Sequence, residues 1–233
     1  MKNIIITLFI LFNIANAYEE DELYPTINGC KLEPKTSCPK VDLSNQDLSN
    51  LDLKESNFEG ANFEGAILDG TDLTKSILKK ANFKNAKLRH TILKQSNMSN
   101  TNLENANLAM ADLRHTNIKV TKATNANFDG VNAWAIFAQG GTFDNSSFHG
   151  ANLNFARMNG ASMKNCDLQA VNLEAAWMNK VDFEGSDLSN ADLQESKLSD
   201  SSFYKAILTG ARIHYANFNS VYMQDCVDCP VDW

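Results

Sequence analysis

The chain has 233 residues, 43% of them apolar, 21% charged, and a formal net charge of −7. That apolar share supports a packed core and excludes a wholly disordered acidic chain. Asn, Ser and Asp are unusually common for a helical protein, and three of the four prolines (Pro25, Pro34, Pro39) sit near the N-terminus, so long helices are not expected.

Residues 1–17 read as a signal peptide. Lys2 precedes a short apolar run from Ile4 to Phe12, and Ala15-Asn16-Ala17 supplies the small-x-small cleavage pattern. The run is too short to span a bilayer core of about 30 Å as a helix. No Cys follows it closely, which argues against a lipid anchor. The alternatives are an uncleaved anchor or merely an apolar N-terminus. A mature chain starting at Tyr18 would be exported, periplasmic or secreted, without a membrane span. It would enter an oxidising compartment, where disulfides persist.

Residues 18–40 hold the three prolines, Gly29, Cys30 and Cys38, and form a predicted N-terminal cap. A Cys30–Cys38 disulfide there would stabilise by about 2–3 kcal/mol, mostly by restricting the unfolded chain. Two free thiols are the other reading.

From residue 41 to residue 225 a five-residue period runs without insertion. Leu43, Leu48, Leu53, Phe58, Phe63 and Leu68 begin a series of large apolar residues that ends at Phe218 and Met223. Two residues before nearly all of them stands a small or branched one, such as Ala61, Ala66 or Ala151. Of 37 pentads, only those centred on Ala123, Ala133 and Ala138 lack a large central residue. On a helix, a step of five advances about 140° and would scatter the leucines around all sides. On a straight strand, odd steps alternate faces. One inside exists only if the backbone turns by a fixed angle every five residues and its coils stack about 4.8 Å apart.

Segments such as Ala61-Asn62-Phe63-Glu64-Gly65, Ala151-Asn152-Leu153 and Ser186-Asp187-Leu188-Ser189-Asn190 resemble the A(D/N)LxX pattern of the pentapeptide-repeat family. The resemblance implies an all-β fold, a right-handed four-sided parallel β-solenoid with four pentads per coil. Residues 41–225 would make about nine coils between short caps, a rod of roughly 45 Å. Some cytoplasmic members of that family resemble duplex DNA in shape and charge and bind DNA gyrase. The export signal and an interrupted acidity set this chain apart from them. End-to-end homodimers also occur in the family, and one remains possible here.

Cys166 occupies a small inward position and reads as a buried, inert thiol. Residues 226–233 form a predicted C-terminal tail containing Cys226-Val227-Asp228-Cys229. A redox role needs a nearby cation or helix N-terminus to stabilise the thiolate. Asp225 and Asp228 act against that, so a cap disulfide or a free pair is the rival reading.

No catalytic motif, metal-ligand spacing or cofactor site is found. His90, His115, His149 and His214 fall on turn or outward positions spread along the repeat. The expectation is a non-catalytic, rigid binding or structural scaffold for a protein or anionic glycan of the envelope or beyond, with no nucleic-acid partner. Charge alternates along the chain: net −9 over residues 18–72, net +8 over 75–122, net −7 over 123–233. The middle stretch reads as a basic belt whose charges spread over several sides. With twenty residues per coil, Phe137, Arg157 and Trp177 would stack as aromatic, cation, aromatic, with Phe155 at a corner nearby. Trp134 and Phe137 have two readings. They belong to this candidate binding patch, or a bulge turns them inward to refill the core left by Ala133 and Ala138.

Overall fold

The computed structural model describes residues 24–230; the predicted leader and the last three residues lie outside the described residues. Each pentad is a short extended piece followed by a tight corner. Its fifth residue has a left-handed backbone at every fifth position from Lys35 to Asp225, with φ between 52° and 71°. A positive φ at the third residue of a four-residue turn is what a type II corner requires. The next pentad's first amide closes it, as when Ala61 N–H donates to the Phe58 carbonyl at 3.0 Å.

The second residue of each pentad pairs in parallel with residues twenty before and twenty after it, without a change of register from Ser37 to Val227. Four corners therefore complete one coil, and residues 36–225 wind into nine and a half coils. The ladder starts one pentad before the expected boundary at residue 41, so Cys38 already holds a central position of the first coil. It also reaches Val227, two residues beyond the expected end at 225.

Four flat faces result, each named by its outward column. Face A runs Ser37, Asn57, Ile77, Asn97, Asn117, Phe137, Arg157, Trp177, Lys197, Asn217. Face B begins at Asp42, face C at Asp47 and face D at Asp52. Face C lies opposite face A. A short antiparallel hairpin, β1 (Thr26–Ile27) and β2 (Cys30–Lys31), precedes the coils. Cys30 and Cys38 are disulfide-bonded with Cα atoms 5.8 Å apart. Cys30 and Leu32 are buried in the core cluster and close its N-terminal end.

The repeat satisfies nearly every backbone amide. Second-residue N–H groups donate to the preceding coil and third-residue N–H groups to the following one, as in Asn62 to Val41 and Leu43 to Asn62. The fourth amide is taken by the second residue's own side chain: Ser44 N–H donates to Asp42 Oδ1 at 3.1 Å, Glu59 N–H to Asn57 Oδ1 at 3.1 Å. This local Asx bond explains the Asn and Asp at second positions. Buried hydroxyls at first positions donate to carbonyls one coil back, for example Thr71 to Leu48 at 2.7 Å.

The alanine-centred coil keeps this geometry. Asn117, Phe137 and Arg157 pair in register, so no bulge turns Trp134 or Phe137 inward, and both are half-buried. The core is refilled at the first positions instead. Val131 and Ile136 stand where Ala, Ser or Thr are usual, and Phe128, Phe143 and Phe148 reach across from neighbouring pentads. What remains is an apolar void of about 10 Å³, at the lower limit for one water. Large and small have exchanged places within the pentad.

Gly141 belongs to the same exchange. A Cβ there would lie 2.6 Å from Phe143 Cε2, in a ring with no exposure. Gly141→Ala is expected to destabilise by about 1–3 kcal/mol in denaturant unfolding, by overpacking. Val120→Asn should do the opposite. Val120 is β-branched, 61% exposed and held at φ 55°, where Asn is far better tolerated. A gain of about 1 kcal/mol is expected in the same assay.

Candidate binding face

Face A concentrates large aromatic and cationic side chains at its second positions, four in succession from Phe137 to Lys197. At Ile77, Phe137, Arg157, Trp177 and Lys197 it gives up the Asn or Asp that would hold the fourth amide. At two of these the acceptor comes from the coil before: Asn179 N–H donates to Asn159 Oδ1 at 2.9 Å, and Ser199 N–H to Asn179 Oδ1 at 3.1 Å. The corner is thus kept while the outward side chain is freed for another use.

Those side chains form one alternating column. Lys119 Nζ lies 5.7 Å from the Phe137 ring centroid, and the Arg157 guanidinium is 5.3 Å from Phe137 and 5.4 Å from Trp177. Lys197 Nζ closes it, 4.3 Å from Trp177. Coils on both sides contribute, so each ring has one cation over it from the coil before and one from the coil after. At the adjoining corner His115, Trp134 and Phe155 pack edge to face, with centroids 4.8 Å and 5.9 Å apart. The predicted residues Trp134, Phe137, Phe155, Arg157 and Trp177 therefore share one patch. The sequence reading missed Lys119, Lys197 and His115, although sorting positions by twenty rather than five would have revealed them.

The charge distribution differs from the expected belt. Lys75, Lys79, Lys80, Lys94, Arg114 and Lys119, six of the ten basic residues of that stretch, lie on the two corners bordering face A. Face A with its corners carries no Asp or Glu in residues 74–80, 94–100, 114–120, 134–140 and 154–160. Face C with its corners carries Glu64, Asp69, Glu104, Asp129 and Asp144 beside Lys84, Lys87 and Arg89. Neutralisation follows the same division only in part, since Lys87 and Arg89 beside face C form no salt bridge among the described residues. Lys84 and Lys122, away from face A, pair with Glu104 at 3.3 Å and 2.6 Å. Their hydrogen bonds, Lys122 first, hold the Glu104 carboxyl below its usual range. Lys75, Lys79, Lys80 and Lys94 form no salt bridge among the described residues. Arg114 grips Asp112 at 2.5 Å.

Apolar exposure is one-sided as well. Ile77, Val120, Phe155, Trp177 and Tyr215 are exposed on face A or its corners. Elsewhere only Met110, Tyr222 and Val227 are exposed large apolar side chains among the described residues.

A family model for pentapeptide repeats matches in eight overlapping copies from residue 37 to residue 225. The chain belongs to the pentapeptide-repeat family. Among solved structures, the pentapeptide-repeat protein HetL, involved in heterocyst differentiation regulation in the cyanobacterium Nostoc sp. strain PCC 7120, is similar with a TM-score of 0.81 and 22% identity, covering 83% of this chain and 87% of HetL. The right-handed four-sided solenoid is thus the fold. Rfr23 from the cyanobacterium Cyanothece 51142 is 17% identical with a TM-score of 0.47, covering 48% of this chain and 90% of its own. A form of QnrB1, a plasmid-mediated fluoroquinolone resistance protein, is 17% identical with a TM-score of 0.48, covering 79% and 87%. A sequence search of curated proteins finds no match.

Elsewhere on this pentapeptide-repeat protein, no three His, Cys, Asp or Glu side chains among the described residues converge as metal ligands. No helix among them is long and apolar enough to cross a membrane. Cys226 and Cys229 are disulfide-bonded, with Cα atoms 5.7 Å apart. Cys166 is the free thiol among the described residues, donating to the Phe143 carbonyl at 3.0 Å, and burial pushes its pKa up to about 12.

Two outcomes follow. The thiolate is the reactive form, so native Cys166 should resist iodoacetamide at about pH 8 and react readily in denaturant; mass spectrometry reads both. Arg157→Ala removes two exposed cation–π contacts and should lower stability by about 1–2 kcal/mol, with Arg157→Lys losing less. Thermal unfolding checks it.

Proposed function

We propose that this pentapeptide-repeat protein is an exported, non-catalytic scaffold that presents face A to an anionic partner. The observation that carries this reading is the acid-free run on that face across five coils, with basic corner residues on the first three. Cations left without carboxylate partners project positive potential outward, which attracts and orients an oppositely charged surface. The fully paired rod beneath holds the array in register without moving parts.

Export is supported by the leader pattern of residues 1–17 and by the two paired cysteine couples, which suit an oxidising compartment. The gyrase-binding role known for other members of the family fits less well. A duplex mimic needs negative potential along the rod, and face A interrupts it with basic residues and no carboxylate across five coils.

The test places a photo-activated cross-linker at Trp177 on face A or, as a control, at Asp187 on face C, in the cell that makes the protein. Adducts from position 177 and few from 187, on a chain starting at Tyr18 in the exported fraction, are expected. An intact leader on cytoplasmic protein would overturn export. Equal adducts from both positions would overturn the choice of face.

A further inference from the structure

Resting on face A as the binding face, we infer that its occupant is an anionic lipid surface, on which the rod lies flat with its axis parallel to the membrane. Four features select this occupant. The first is shape. An in-register parallel ladder makes face A flat along its length, which suits a continuous surface better than a shaped ligand.

The second is the ring geometry. Bases and sugars are held by stacking on exposed ring faces. The faces of Phe137 and Trp177 are already covered by Lys119, Arg157 and Lys197. What the column offers is half-exposed aromatic ring beside cation, the pairing that settles at a headgroup boundary.

The third is the spread of apolar tips. Ile77, Val120, Phe155, Trp177 and Tyr215 lie on separate coils along the length of the face. A protein interface concentrates its anchors at a central hot spot; a fluid apolar boundary accepts them anywhere along the plane. The fourth is where the chain accepts strain. Val120, Phe155 and Tyr215 occupy left-handed corner positions with φ of 55°, 58° and 60°, where the repeat elsewhere favours Asn, Gly or Lys. Each puts a large apolar tip on a corner of face A; Met110, with φ 62° beside face C, is the exception.

Charge completes the match. Lys75, Lys79 and Lys80 border face A on one coil, and Lys94, Arg114 and Lys119 on the next two. Juxtaposed basic residues add attraction to anionic headgroups, weakening with salt.

The experiment uses residues 18–233, which contain every described contact of the rod, and vesicles of phosphatidylcholine with about one-third phosphatidylglycerol. Cosedimentation with these vesicles, little with pure phosphatidylcholine, and a blue shift of tryptophan emission on binding are expected. Lys75→Glu with Lys80→Glu should weaken binding at least about tenfold; Glu55 and Glu195 already occupy equivalent corner positions. Lys87→Glu with Arg89→Glu makes the same charge change beside face C and should leave binding within about twofold. Val120→Asn with Phe155→Asn keeps the charge, suits the corner backbone, and should weaken binding and reduce the blue shift. Absence of binding, or equal loss from both charge-reversal pairs, would overturn the lipid assignment. Protein adducts at Trp177 without vesicle binding would overturn it too, while leaving the scaffold reading intact.

Discussion

A left-handed residue at every fifth position is the constraint on which the rest of this molecule depends. It turns the chain through a corner, keeps residues one and three of each pentad inward, and sets four corners to a coil. The requirement is local and severe: side chains with a Cβ enter this region at a cost, which the local Asx bond helps to offset. One extra residue would exchange inward and outward positions for everything that follows. That no insertion interrupts the frame from Ser37 to Val227 is the sequence consequence of that sensitivity.

The core tolerates variation only within this frame. Ala133 and Ala138 do not produce a bulge, because a bulge would break pairing with both neighbouring coils. Volume is restored by Val131 and Ile136, one extended step away on the same inward side, and by phenylalanines from adjacent pentads. Interiors fill to near close packing, and here moving bulk between two inward positions costs less than moving backbone.

The same stacking creates the surface. Residues twenty apart become neighbours about 4.8 Å apart, so a column of unlike residues along the sequence becomes a row in space. Lys119, Phe137, Arg157, Trp177 and Lys197 are unremarkable in their own pentads and form one cation–aromatic row on face A. Carboxylates at the same height are directed to other faces, where they hold Lys84 and Lys122. The rod is polar across its width as well as along its length.

The period of five, its central Leu and Phe residues and the inward Ala, Ser and Thr were enough to require a chain that turns every five residues and stacks its coils, because no helix or straight strand buries that pattern on one side; four turns to a coil came from the family resemblance. The stacking of Phe137, Arg157 and Trp177 was legible once a coil was assigned twenty residues. The standing of Trp134 was not, since a bulge and a shift of volume both refill a core on paper; only the intact register of Asn117, Phe137 and Arg157 decides between them. The grouping of Lys75, Lys80, Lys94 and Lys119 on one side was equally hidden. Linear charge counts project a coil onto a line and mix its four faces. Local steric periodicity is written residue by residue and can be read from the chain; which side of the rod a charge occupies depends on how coils stack, and that exists only in three dimensions.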